Sequence, residues 1–266
     1  MSSLRPQTAL GLLAVLAACD IAPEEAERVQ IPMATSAAGL GVVQTDAGYA
    51  VELRSVRLVV SDFTFFVAGE VHAAADWSEH LASLFIRRAS AHPGHYQGGD
   101  VTGELLGRFL VETSTGTEAV LGAPTLLLGS YESASFTFGR GSAADGLGAA
   151  DPLFGHTAVL DGVVSIDAET VPFRVIIDAP EDRLLEGAPF EADLLGALPA
   201  RLGYRVSALD PLEGDSLFDG VDFAALPRTE GRILIAPDST DALETAYTVI
   251  RRAFMTHDHH AIVPES

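Results

Sequence analysis

Residues 49–67 read Tyr49-Ala50-Val51-Glu52-Leu53-Arg54-Ser55-Val56-Arg57-Leu58-Val59-Val60-Ser61-Asp62-Phe63-Thr64-Phe65-Phe66-Val67. Tyr49, Val51 and Leu53 alternate with Glu52 and Arg54. Strand side chains point to opposite faces in turn, so this alternation marks a half-buried strand. The parity then changes: Val56, Leu58 and Val60 take over, followed by Phe63, Phe65 and Val67. A change of parity predicts a bulge or a new strand.

The same period recurs along the chain. Leu105, Gly107, Phe109 and Val111 form one run, and Ala134, Phe136 and Phe138 another, with Ser133, Ser135 and Thr137 opposite. Phe173, Val175 and Ile177 follow, then Phe190, Ala192 and Leu194, then Leu202, Tyr204 and Val206. Gly and Pro punctuate these runs. Many short alternating strands with turn signals predict a mainly β fold, an antiparallel sandwich or barrel-like domain.

Two segments break the pattern and predict short amphipathic helices. In residues 76–90, Asp76 and Glu79 have capping-box spacing, and Trp77, Leu81, Leu84 and Phe85 form one stripe. In residues 241–256, Asp241 and Glu244 begin a segment whose Leu243, Ala246, Tyr247, Ile250 and Phe254 share a face. Both stripes are expected to pack on the sheet. The expected organisation is a signal peptide at 1–18, a tether at 19–40, a β-rich domain at 41–235 and a C-terminal helix with a His-rich tail at 236–266.

Composition narrows the function. The net charge is −21, so phosphate backbones are repelled and nucleic-acid binding is disfavoured. Anionic lipid headgroups are repelled for the same reason. The acidity serves solubility or attracts cations. There is no lysine for Schiff-base chemistry. Cys19 is the single cysteine, so no internal disulfide can form.

The N-terminus reads as an export signal. Arg5 supplies the positive charge, and Ala9 to Ala18 is an uncharged apolar stretch. That length suits a signal-peptide core, whereas a membrane span needs about 20 residues. The stretch ends in Leu16-Ala17-Ala18-Cys19, which resembles the lipobox of bacterial lipoproteins. The resemblance covers the first nineteen residues. It implies a diacylglycerol on the Cys19 sulfur, cleavage before Cys19, acylation of the new amino group and residence in the cell envelope, periplasmic or outer-membrane-facing. Two or more acyl chains anchor a protein stably.

Searching for chemistry gives little of the enzymatic kind. No nucleophile elbow, His-Glu-X-X-His, P-loop or dinucleotide fingerprint occurs. Gly139-Arg140-Gly141-Ser142 reads as a turn. The eight histidines are more telling, because five lie in two groups. His92-Pro93-Gly94-His95 is followed by Asp100 and Glu104, and His257-Asp258-His259-His260 follows the C-terminal helix. Imidazole is the commonest ligand for zinc and copper. In an extended tail His257 and His259 point the same way, so their rings can share an ion. The first group also resembles short histidine motifs in exported metal-handling proteins, which implies the same use. A solvated tail that complements the helix dipole is the plain alternative. His156, His72 and His80 read as structural or surface residues.

The acidic run Asp210, Glu213, Asp215, Asp219 and Asp222 offers oxygen ligands of the kind calcium takes, without EF-hand spacing. A solvated loop is the preferred reading. The sequence therefore predicts a non-enzymatic envelope lipoprotein that binds zinc or copper through His92, His95, His257, His259, His260, Asp100 and Glu104. The alternative is an envelope module that binds a protein or polymer partner without metal.

Overall fold

The fold was analysed in a computed structural model that describes residues 27–67, 101–114, 116–180 and 182–266. The expected helix at 76–90 lies outside these residues, as do Cys19, His92, His95 and Asp100.

Among the described residues the strands are β1 (Arg28–Gln30), β2 (Met33–Thr35), β3 (Gly41–Gln44), β4 (Ala50–Val67), β5 (Val101–Ser114), β6 (Val120–Gly122) and β7 (Thr125–Leu127). They continue as β8 (Ser130–Phe138), β9 (Ala158–Ile166), β10 (Glu169–Ile177), β11 (Leu184–Asp193), β12 (Arg201–Val206), β13 (Ile233–Ile235) and β14 (His260–Glu265). One helix, α1, spans Asp241–Phe254.

Ala50–Val67 form a single strand of 18 residues. Its buried side chains in the main core are Val51, Leu53, Val56, Leu58, Val60, Phe63 and Phe65, and Val59 is buried on the opposite face. The first parity change coincides with a register shift between Leu53 and Ser55 against β9. The second falls between Ser61 and Phe63 against β5. There Asp62 adopts a left-handed φ of 54°, and its carboxylate accepts a hydrogen bond from the Gly107 N–H at 2.9 Å. Each bulge adds one residue and returns the apolar set to the same face. One strand can therefore serve as the spine. Along one edge it pairs β3 and then β5, and along the other β9 and then β8.

The architecture is mainly β, with a ten-stranded sheet and a four-stranded sheet. The large sheet runs β1-β7-β5-β4-β9-β10-β13, with β3, β8 and β11 attached beside this path. The small sheet runs β14-β12-β2-β6. Neither sheet closes into a barrel. Pairing is antiparallel except for β10–β13 and β12–β2 among the described strands. The sheets face each other in a sandwich-like layout across an aromatic core: Phe63 and Phe136 of the large sheet lie 5.5 Å, ring to ring, from Tyr204 of the small one. The chain crosses between layers at Ile31-Pro32 and again at Ala123-Pro124. Proline has no N–H to donate, which suits positions where a ladder ends.

Residues 28–40, read from the sequence as part of the tether, belong to the fold. Ile31 and Met33 are buried, and β1 and β2 pair with distant strands. Poor local periodicity concealed strands only three or four residues long.

α1 matches the expected C-terminal helix. Ala246, Ile250 and Phe254 bury its apolar stripe, as the 3.6-residue period requires. Asp241 and Glu244 sit in its first turn and Arg251 and Arg252 in its last, each complementing the helix dipole. On the outer face of the large sheet, the loop after β8 brings Leu147 and Leu153 over Val59 and Val159. Two ion pairs fasten it, Arg57 to Asp151 at 2.9 Å and Arg108 to Asp145 at 2.7 Å.

Candidate functional site

The C-terminal histidines lie where α1 hands over to the small sheet. His257–His259 form a 3-10 turn, and His260 is the first residue of β14. The tail is thus paired and largely packed. The extended geometry expected for His257 and His259 does not occur, because β14 takes its register from β12, with Val206 opposite His260.

His260 is 1% exposed. Its Nε2 lies 2.8 Å from the Phe254 carbonyl, which can only accept, so that nitrogen carries the proton. Nδ1 then accepts from the Tyr204 hydroxyl at 2.8 Å. Phe136, Phe138 and Phe254 pack around the ring at 5.4, 5.7 and 5.0 Å. Burial pushes the imidazole pKa down to about 3, and it pushes that of Tyr204 well up. A neutral imidazole with both nitrogens engaged has no lone pair for a metal. His260 is a core residue with a polar bridge.

His259 is also buried, and its Nδ1–H donates to the Ser207 carbonyl at 3.1 Å. Burial lowers its pKa, although the Ser207 bond and nearby Asp210 and Asp258 oppose that.

His257 differs. It lines a cavity of about 310 Å³ between the end of α1 and β11, together with Met255, Asp258, Glu186 and Arg183. Its Nδ1 is 3.0 Å from the Asp258 carboxylate. Imidazole, carboxylate and thioether donors therefore share one partly open space. Glu186 and Arg183 come from the start of β11, a link that sequence order does not reveal. The thioether of Met255 was adjacent in sequence and readable there.

Glu104, the one described member of the first His group, is an exposed residue of β5 opposite Thr64. Val67 and Val101, which flank residues 68–100, lie at the Ser130 end of β8, since Val67 pairs with Tyr131 and Val101 with Phe66. The His257 cavity adjoins Leu184, which pairs with Thr137 at the other end of β8. Seven residues of strand separate these ends, about 23 Å. Among the described residues, no three His, Cys, Asp or Glu side chains are grouped to hold a metal ion.

Three carboxylates of the acidic run accept hydrogen bonds within the fold. Asp210 accepts from the Leu212 N–H at 2.8 Å, and Asp219 accepts from Ser216 and Asp46 N–H groups at 2.8 and 2.9 Å. Asp222 accepts from the Tyr49 hydroxyl at 2.6 Å. These bonds fasten the 208–222 loop to the turn before β4.

Two further groupings escaped the sequence reading. His156 Nδ1 lies 2.8 Å from Asp178, whose other oxygen is 3.5 Å from Arg140. Arg140 also donates to the carbonyls of Gly155 and Ala179 at 3.2 Å, and Arg251 of α1 donates to the Asp178 carbonyl at 2.6 Å. The nearby Ser142 hydroxyl donates to Asp145 at 2.8 Å. This cluster ties two loops to the helix. The second grouping is a groove of about 470 Å³ beside β13, lined by Pro152, Ile176, Leu234, Arg174 and Arg232. β13 pairs only with β10 among the described strands.

No protein-family model matches the chain, and no curated protein or solved structure compared with it matches either. No enzyme family is therefore indicated.

Proposed function

We propose that the chain is a lipid-anchored protein of the bacterial cell envelope that works by binding rather than catalysis, and that its ligand is zinc or copper(II). The anchor reading rests on Leu16-Ala17-Ala18-Cys19. The ligand reading rests on one observation: an imidazole, two carboxylates and a thioether line the His257 cavity, spread around its wall rather than converged on one point. A carboxylate on one ring nitrogen, as Asp258 is placed here, orients many metal-ligating histidines. Imidazole with carboxylate suits both zinc and copper(II), to which the Met255 thioether adds one soft donor. His259 and His260 leave the ligand set, because their rings serve the core. Calcium leaves it too, because the acidic run caps its own loop. His92 and His95, with Asp100 and Glu104, form the second donor set of this reading.

Calorimetry on the untagged, membrane-extracted chain tests it. Zinc or copper(II) should bind at micromolar or tighter affinity. His257→Ala should weaken binding by about tenfold or more, the loss of one good ligand. Loss confined to His92→Ala/His95→Ala would move the site to the first group. No heat from either metal ends the reading.

A second reading follows from the groove beside β13. Sheet edges bind extended peptides through main-chain hydrogen bonds. The groove adds the exposed Leu234 and the Arg232 guanidinium. A photo-crosslinker at Leu234 should capture a discrete envelope partner in cells, and recovery of none would remove this reading.

A further inference from the structure

The start of the described chain, the ends that flank residues 68–100 and an exposed apolar turn all meet at one end of the sandwich. Leu128 N–H donates to the Glu27 carbonyl at 3.0 Å, and Leu194 N–H donates to the Gly129 carbonyl at 2.9 Å. Asp193 pairs with Ser130, and Val67 with Tyr131. Beyond Asp193 the chain turns through Leu195 and Leu198, which are 69% and 48% exposed. Val101, at the head of β5 and paired with Phe66 at this same end, is also exposed. Leaving such side chains in water forgoes the gain from burying apolar surface.

We infer that this end of the sandwich rests on the bilayer that holds Cys19, with Leu195, Leu198 and Val101 against its interface. The inference rests on the anchor reading proposed above. Eight peptide steps join Cys19 to Glu27, so the two lie at most about 29 Å apart, fully extended. The tether thus leaves the fold from the end that carries the apolar turn. A domain held this close meets its own membrane at high effective concentration, so a few apolar side chains suffice. The net charge of −21, with Glu27 and Asp193 at this end, selects a zwitterionic rather than an anionic surface. Contact here also sets the direction of the site: the His257 cavity, at the opposite end of β8, faces away from the lipid.

Tryptophan quenching by lipids brominated on the acyl chain tests the contact. The one native tryptophan is replaced by Trp77→Phe, and a reporter is placed by Leu195→Trp. Leu212→Trp is the control, since Leu212 is 67% exposed and lies beyond the far end of β12. Both chains are extracted from cell membranes and reconstituted in brominated phosphatidylcholine vesicles. Mass spectrometry of the same samples reads the N-terminus. The expected result is an acylated chain beginning at Cys19, with Leu195→Trp quenched about twofold or more and Leu212→Trp unaffected. An acylated chain in which neither reporter is quenched overturns the contact and keeps the anchor. A chain without acyl groups at Cys19 overturns both.

Discussion

The Tyr204 hydroxyl and His260 Nδ1 share a hydrogen bond of 2.8 Å in a pocket of aromatic rings. It joins β12 to β14 across 56 residues of sequence, and His260 carries the link on to the end of α1 through the Phe254 carbonyl. A run that reads as a metal-binding tail is thereby a core joint between helix and sheet.

Removing one partner leaves a buried acceptor without its donor. Tyr204→Phe should lower unfolding free energy by about 1–3 kcal/mol. His260→Ala also opens a cavity and should cost about 3–5 kcal/mol. Urea titration followed by circular dichroism measures both. Equal stability of wild type and Tyr204→Phe would contradict the joint.

His260 also sets a pH dependence. Its folded pKa of about 3 lies below the ordinary 6.5, so between these values the unfolded chain binds the extra proton. Stability should fall as pH drops below about 6.5 and level off near 3, with this group contributing up to about 5 kcal/mol. His260→Phe should flatten that slope. The slope is read from urea midpoints between these pH values.

The loop after β8 gives a second, separable window. Hydrogen bonds from Arg108 hold the Asp145 carboxyl below its usual range, and Ser142 adds to the effect. Arg57 does the same for Asp151, with help from the Leu153 N–H. A depressed carboxyl contributes above its unfolded pKa and is lost as pH falls through the folded one. Arg108→Ala should therefore remove stability at pH 7 but almost none at pH 2. The change is about 1 kcal/mol, since the arginine of the pair is partly exposed to solvent while the carboxylate is covered. Limited proteolysis should then cut first within residues 139–157.

Gly162 of β9 lies in close approach to the spine strand β4. A Cβ there would stand 2.4 Å from the Glu52 carbonyl oxygen and 2.5 Å from the Phe173 ring. Gly162→Ala should destabilise by about 1–3 kcal/mol through overpacking between β9 and β4. Thermal unfolding reads the loss, and an unchanged midpoint would contradict the close approach.

The parts of the fold written in local pattern were legible. Alternation placed β4, β8, β10 and β12, and the apolar stripe placed α1. The parity changes in β4 were readable as bulges or as separate strands, and pairing with β5 and β9 decided for bulges. What escaped was non-local. Strands as short as Arg28–Gln30 or Met33–Thr35 exist only through partners about 100 residues away and more. His260 looks polar beside Asp258 and His259, and only the following Ala261-Ile262-Val263 hinted at a strand. Alternation marked Tyr204 as an inward-facing residue of β12, but nothing local paired it with His260. His257 was singled out, but Glu186, which shares its cavity, could not have been.

The most direct measurement is anomalous diffraction at the zinc edge from crystals of the chain soaked in zinc. The account predicts a peak in the His257 cavity, about 2.0–2.1 Å from an imidazole nitrogen. It further predicts an oxygen ligand from Glu186, Asp258 remaining on the other ring nitrogen of His257, and no peak at His259 or His260. A cavity without anomalous density, or an ion bound to His260, would contradict it.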